Sequence, residues 1–257
     1  MPDAREFRVD RLVVEIYPNA RLLGEAAAAY AAQSLRASIA ARGRANLICA
    51  TGMSQITFFA ALSQVSGVDW QRVHVFHMDE YVGLSADHPA SFRRYLREKL
   101  VERVRPASFH GINGGADDPE TECRRYAGLL AANPADLCCM GIGENGHLAF
   151  NDPPEARFDD PQPVKVVRLA EASRRQQVDE GFFETLAQVP EQAITLTIPT
   201  LLAARQALVI VPEARKAQAV RSALQDPISP ACPASILRRQ GHARLLLDRE
   251  SGSLLKA

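Results

Sequence analysis

The sequence predicts an α/β/α sandwich built on a parallel sheet, and three observations carry that prediction. Strand-like and helix-like patterns alternate along the chain. Several apolar runs, ANLICA at 45–50 and DLCCMGI at 136–142 among them, are continuous rather than alternating, as in strands covered on both faces. Neither a repeat nor a low-complexity linker interrupts the pattern, so residues 1–257 are read as one domain.

LVVEI near residue 12 reads as the first strand. Residues 20–42 carry an alanine-rich helical pattern, stopped by Gly43. After the strand at 45–50, Thr51 and Gly52 form a turn and Ser54 is placed to cap a helix ending near Val65. A strand at 73–77 runs into an acidic loop. Ser91 caps a basic helix reaching about residue 103. DDPETECRRYAGLL, from Asp117, has a capping aspartate, a first-turn proline and a helical period. A long polar segment after 142, to about Pro163, exceeds an ordinary connection and reads as a functional loop or lid. VKVVRL (164–169), AITLTI (193–198), ALVIV (207–211) and ARLLLD (243–248) read as strands, with a helix over 213–224.

The 257 residues carry zero formal net charge and are 47% hydrophobic. That balance leaves no basic stripe for nucleic acid, and no apolar run approaches the roughly 20 residues of a membrane span. The charged start MPDAREFRVD lacks the apolar core of a signal peptide. Five cysteines without CxxC spacing fit a reduced, cytoplasmic setting, and Cys138–Cys139 reads as core.

Ligands of such folds gather where strands end. The loops at 51–55, 79–84 and 143–152 all follow strands and can share one cleft. In DLCCMGIGENGHLAFNDP, Asn145, His147 and Asp152 fall in one short segment; an imidazole beside hydrogen-bond partners is a proton-transfer device. In VHVFHMDEYVGL, a strand delivers Asp79 and Glu80 to its end. A solvated loop is the plainer reading of that carboxylate pair, and a structural histidine that of His147. His74, His77 and Asp79 also form a metal-like cluster, but alternation puts the two histidines on opposite faces, so no metal is expected. ATGMSQ is a strand-to-helix turn whose N–H groups and hydroxyls suit an anion. Arg174 and Lys216, taken alone, read as surface cations.

Together these segments resemble the glucosamine-6-phosphate deaminase (isomerase) family, part of a larger group with the 6-phosphogluconolactonases. ATGMS, VHVFHMDEYVGLSADHPASF, INGGADDPETECRRY, MGIGENGHLAFNDP, VVRLAEASRR, RKAQAVRSAL and PASIL carry the resemblance, in order, from about residue 45 to 248. It implies a Rossmann-like three-layer sandwich with a mostly parallel sheet. It implies an enzyme that isomerises and deaminates glucosamine 6-phosphate to fructose 6-phosphate and ammonia, without metal or organic cofactor. Asp79 then matches the proton acceptor in enolisation and His147 the histidine that opens the sugar ring. Asn145 and Asp152 match the positions that orient it. Thr51, Gly52, Met53, Ser54, Arg174 and Lys216 match the phosphate pocket; Glu80 and Glu144 are secondary. The family contains monomers and hexamers, so a homo-oligomer is among the states implied.

Three departures stand out. Asn145 replaces a usual carboxylate and Asp152 a glutamate, with Glu144 placed to compensate. Met53 and Gln55 replace a glycine and a proline, which predicts a reshaped loop because methionine disfavours positive φ. EARFDDPQPV replaces a Ser-Arg-Thr stretch that helps bind the activator N-acetylglucosamine 6-phosphate in allosteric members, so no such activation is expected. Two other functions compete. A 6-phosphogluconolactonase typically carries a DER-type acidic loop, whereas DEY at 79–81 and LAFN at 148–151 favour the deaminase. A weakly catalytic sugar-phosphate regulator is motivated by the departures themselves.

Overall fold

The structure, a computed structural model, describes residues 4–255. The one-domain reading and the charged amino terminus extend into residues 1–3 and 256–257, which lie outside the described residues. The strands among the described residues are β1 (Arg5–Val9), β2 (Leu12–Tyr17), β3 (Ala45–Cys49), β4 (Val73–His77), β5 (Asp79–Tyr81), β6 (Ser108–His110), β7 (Leu137–Met140), β8 (Val164–Arg168), β9 (Gln192–Leu196), β10 (Gln206–Val211) and β11 (Ala243–Asp248). Eight form a sheet in the order β1-β2-β11-β10-β7-β3-β4-β6, parallel except for the β1–β2 hairpin.

Adjacent residues of the central strands enter opposite cores. Leu47, Val75, Leu208 and Leu246 face α1 (Ala20–Arg42), α2 (Ile56–Leu62) and α3 (Phe92–Leu96). Ile48, Phe76, Val209 and Leu247 face the helices Pro119–Ala132 and Ala217–Gln225. This two-sided burial explains the continuous apolar runs, and each such side chain contributes about 1.5–3 kcal/mol. Asn19 caps α1 by accepting from Leu22 N–H at 3.0 Å, and Gly43, at φ 74°, ends it.

From β3 the chain moves to one edge through β4 and β6, then returns to the centre at β7 and leaves the other way through β10 and β11. The carboxyl ends of β3, β7 and β10 therefore meet at a topological switch point, where open α/β sheets bind ligands.

Several expectations need correction. The segment at 79–81 is not a loop but β5, and with β9 and β8 it forms a separate antiparallel sheet. The strands at 164–168 and 192–196 thus leave the central sheet, and 198–202 turns helical. Continuous apolar runs looked alike in both sheets because β8 and β9 are also buried on two sides, against a third apolar cluster around Tyr81, Phe92 and Phe150. Ser54 caps nothing; Met53–Gln55 is a 3-10 turn leading into α2, which ends at Leu62. The edge strands β1 and β6 were not expected at all.

Candidate active site

Asp79 begins β5, separated from the end of β4 by Met78 alone. Tyr126 fixes that end: its hydroxyl accepts from His77 N–H at 2.7 Å and lies 2.8 and 2.9 Å from the His77 and His110 carbonyls. Asp79 is 6% exposed, and its Oδ1 is buried with no partner among the described residues. Burial, and then the neighbouring Glu80 carboxylate, raises its pKa to about 8. Glu80 faces the other way. It accepts from Tyr81, Phe92 and Arg93 N–H and from Ser91 Oγ, with the Arg93 guanidinium 3.4 Å away. Burial raises the Glu80 pKa too, and these donors offset part of that rise. Glu80 thus anchors α3 to β5 and does not line the cavity.

His147 follows β7 in a loop of close approaches. A Cβ on Gly143 would lie 2.1–2.3 Å from the imidazole atoms Cε1, Nε2 and Nδ1, so only glycine lets the backbone lie against the ring. Gly146 takes φ 85°, which a side chain rarely adopts. Nδ1 of His147 lies 2.7 Å from Asn145 Oδ1, 3.1 Å from Asp152 Oδ1 and 3.1 Å from Ser173 Oγ. Asn145 Nδ2 donates to Asp152 Oδ1 at 2.9 Å, and Ser173 Oγ donates to the same oxygen. Ala170 N–H donates to Asp152 Oδ2 at 3.0 Å. Burial of Asp152 opposes its charge, but the His147, Asn145 and Ser173 contacts prevail and lower its pKa to about 2. With Ser173 spending its proton on Asp152, Nδ1 carries the imidazole hydrogen toward two acceptors. Nε2 is left as a lone pair for the cavity.

Two segments distant in sequence are tied together by β9. Thr195 pairs with Asp79 in register, and its Oγ1 accepts from Phe150 N–H at 3.1 Å. Asn151 Nδ2 donates to the Leu148 and Leu196 carbonyls, each at 2.8 Å. Asp79 and His147 therefore open into one cavity of about 550 Å³, counting its mouth. Thr51, Gly52, Ser54, Gln176, Gln177, Glu180 and Lys216 also line it.

In the same lining, Gly52 adopts φ 102°, ψ 169°, a glycine conformation, and Tyr95 Oη donates to its carbonyl at 2.7 Å. The positive φ falls on Gly52, not on Met53, so the expected conflict at Met53 does not arise; Met53 is 41% exposed and outside the cavity lining. Lys216 is buried, and among the described residues no group accepts from its Nζ. Burial pulls its pKa down, and the nearby Glu180 carboxylate pushes back.

Two further expectations fail on geometry. Arg174 does not line the cavity; its guanidinium donates to the Leu186 and Val189 carbonyls at 2.7 and 2.9 Å, pinning the turn after its own helix. Glu144 does not back up Asn145; it points outward to Arg215 at 3.2 Å. Asp152 itself supplies the carboxylate, its shorter side chain still reaching Nδ1. His74 binds Ser108 Oγ at 2.8 Å, while His77 packs near Phe109, consistent with their opposite faces.

Ser173, Gln176, Gln177 and Glu180 were missed. All belong to the helix Glu171–Asp179 or its end. Their only sequence signal is a polar helix starting directly after a strand of the matched VVRLAEASRR piece. Gln177 Oε1 is buried, unpartnered among the described residues and cavity-lining, a ready acceptor for a sugar hydroxyl.

A switch-point cavity lined by a buried aspartate, an oriented imidazole, a buried ammonium and a second carboxylate, Glu180, defines an enzyme of proton transfer on a small anionic metabolite. Residues 18–247 match the family described as glucosamine-6-phosphate isomerases/6-phosphogluconolactonase, and the chain belongs to that family. Glucosamine-6-phosphate deaminases of Bacillus thuringiensis and Bacillus anthracis are 38% identical over 205 residues, covering 80% of this chain and 76% of theirs. A solved structure of a monomeric glucosamine-6-phosphate deaminase superposes with TM-score 0.85 at 32% identity, covering 94% of this chain and 99% of that one. A 6-phosphogluconolactonase from Shewanella baltica has TM-score 0.78 at 23% identity, covering 94% and 99%, a likeness of fold alone.

Proposed function

We propose that the protein converts glucosamine 6-phosphate to fructose 6-phosphate and ammonia. The observation that carries this is the shared cavity of Asp79 and His147, with Lys216 also in its lining. His147 Nε2 takes the anomeric hydroxyl proton and returns it to the ring oxygen, giving the open aldehyde. Asp79, as carboxylate, removes the C2 proton, leaving an enolamine, and delivers a proton to C1. The resulting C2 imine takes up water and expels ammonia, so the ketone oxygen comes from water. Lys216, the Thr51 and Ser54 hydroxyls and backbone N–H groups of the turn hold the phosphate and keep C2 in register with Asp79. No step calls on a metal or organic cofactor.

All of this belongs to one domain and one copy of the chain, so dilution leaves turnover per chain unchanged. We place the protein in the cytoplasm. Its five cysteines are free thiols, as a reducing compartment keeps them, and no helix among the described residues is long and apolar enough to cross a membrane.

Ammonia release from a panel of amino-sugar phosphates, beside opening of 6-phosphogluconolactone, tests the reading. Ammonia from glucosamine 6-phosphate is expected. Lactone opening without ammonia would replace it with the lactonase. N-acetylglucosamine 6-phosphate is expected to leave the rate unchanged, as a titration at sub-saturating substrate will read.

The pH dependence follows from Asp79. The base must be ionised, and its pKa is raised to about 8, so kcat/KM climbs with pH and levels off above about 8. A profile already flat from pH 5 upward would show that another group abstracts the proton.

A further inference from the structure

The part of the cavity beside Gly52 carries more negative charge than a phosphate site needs. Glu180 closes the helix Glu171–Asp179, its side chain 4% exposed. Its Oε2 lies 3.8 Å from where a Cβ on Gly52 would stand, beside the turn that receives the anion. Its Oε1 is held by Gln176 Nε2 at 2.8 Å and Arg215 at 3.0 Å. Arg215 also meets Glu213 at 2.6 Å and Glu144 at 3.2 Å. One guanidinium thus answers three carboxylates, and Arg174 is turned away to backbone carbonyls. Lys216 is the one lysine or arginine lining the cavity among the described residues, and Glu180 lines it too. A buried carboxylate next to an incoming dianion is a like-charge juxtaposition, and such contacts act mainly on which ligand is preferred.

We propose that Glu180 is a specificity-determining residue that weakens the preference of this cavity for a dianionic 6-phosphate over a neutral hydroxyl at the same position of a hexosamine. The idea rests on the deaminase reading for its sugar. Its charge argument concerns phosphate alone and can be tested apart from turnover. Gln176 and Arg215 hold the carboxylate in place, so it does not simply swing into solvent when phosphate arrives. Hexosamines without the phosphate are accordingly the second substrate class the site admits.

The test is calorimetric titration of inorganic phosphate into wild type, Glu180→Gln and Glu180→Asp at fixed ionic strength and neutral pH. Glu180→Gln keeps the shape and the bond to Arg215 but removes the charge, and it is expected to bind phosphate about tenfold more tightly. Glu180→Asp keeps the charge and stays near wild type. In parallel, the ratio of kcat/KM for glucosamine 6-phosphate to that for glucosamine should rise about tenfold in Glu180→Gln, through KM. Glu180→Ser takes the place of the glutamine variant should that fail to fold. Equal or weaker phosphate binding by the neutral variants overturns the proposal. Absence of ammonia from either sugar, with phosphate binding tightened as expected, counts against the deaminase reading and leaves the role of Glu180 standing.

Discussion

Asp79→Asn is expected to lose ammonia release by about 10³-fold, within the 10²–10⁴ that a positioned proton acceptor supplies. Asparagine fills the same space but cannot take the C2 proton. The fall should appear in kcat, with KM little changed, because the substitution leaves Lys216 and the Thr51–Ser54 turn, the proposed phosphate holders, untouched. The same substitution should not lower stability. Folding raises the Asp79 pKa from 3.8 to about 8, so between those values the native state holds a proton that the unfolded chain has released. Stability therefore falls as pH rises across that window. Asp79→Asn removes this penalty, and above pH 8 its melting temperature should exceed that of wild type. A variant that melts lower at every pH would mean that Asp79 supports the fold rather than the chemistry.

Gly143→Ala is expected to cost about 10²-fold or more in kcat, the scale on which a misplacement of about 1 Å acts. The new methyl would overlap the imidazole at 2.1–2.3 Å, and His147 cannot move without leaving Asn145 and Asp152. Overpacking at such a site costs about 1–3 kcal/mol, so the melting temperature should drop as well. Gly128→Ala is the matching control. Gly128 lies on the exposed face of the helix Pro119–Ala132 with nothing within 4 Å of the added Cβ. That change should raise stability by about 0.5–1 kcal/mol and leave turnover untouched. Equal activity in the two variants would contradict the close seating of His147.

Much of the central sheet was legible because burial on both faces writes itself as unbroken apolar runs. β7 and β10 showed it outright, and β3 beyond Asn46. The hairpin strand β1 did not, since its side chains alternate between charged and half-buried on an edge. The β5–β9–β8 sheet was invisible as a separate unit: strand direction leaves no mark when both sides of a strand are covered. Asp79 and His147 stood out as chemistry delivered to strand ends, and Lys216 was found through the family pattern. Arg174 misled because a sequence position says nothing of where a long side chain turns, here to two carbonyls. Glu180 left no trace because a glutamate on a polar helix usually faces water. Only the path of β9 and the helix after β8 reveals that this one lines the cavity.

Glucosamine 6-phosphate carrying deuterium at C2 puts the role of Asp79 to the most direct test, with the label followed by NMR. Wild type should release ammonia while the label leaves C2, part reaching C1 of fructose 6-phosphate and the rest the solvent. Asp79→Asn should keep its deuterium at C2 throughout. Loss of that deuterium in Asp79→Asn at the wild-type rate would contradict the assignment of Asp79 as the group that breaks the C2–H bond.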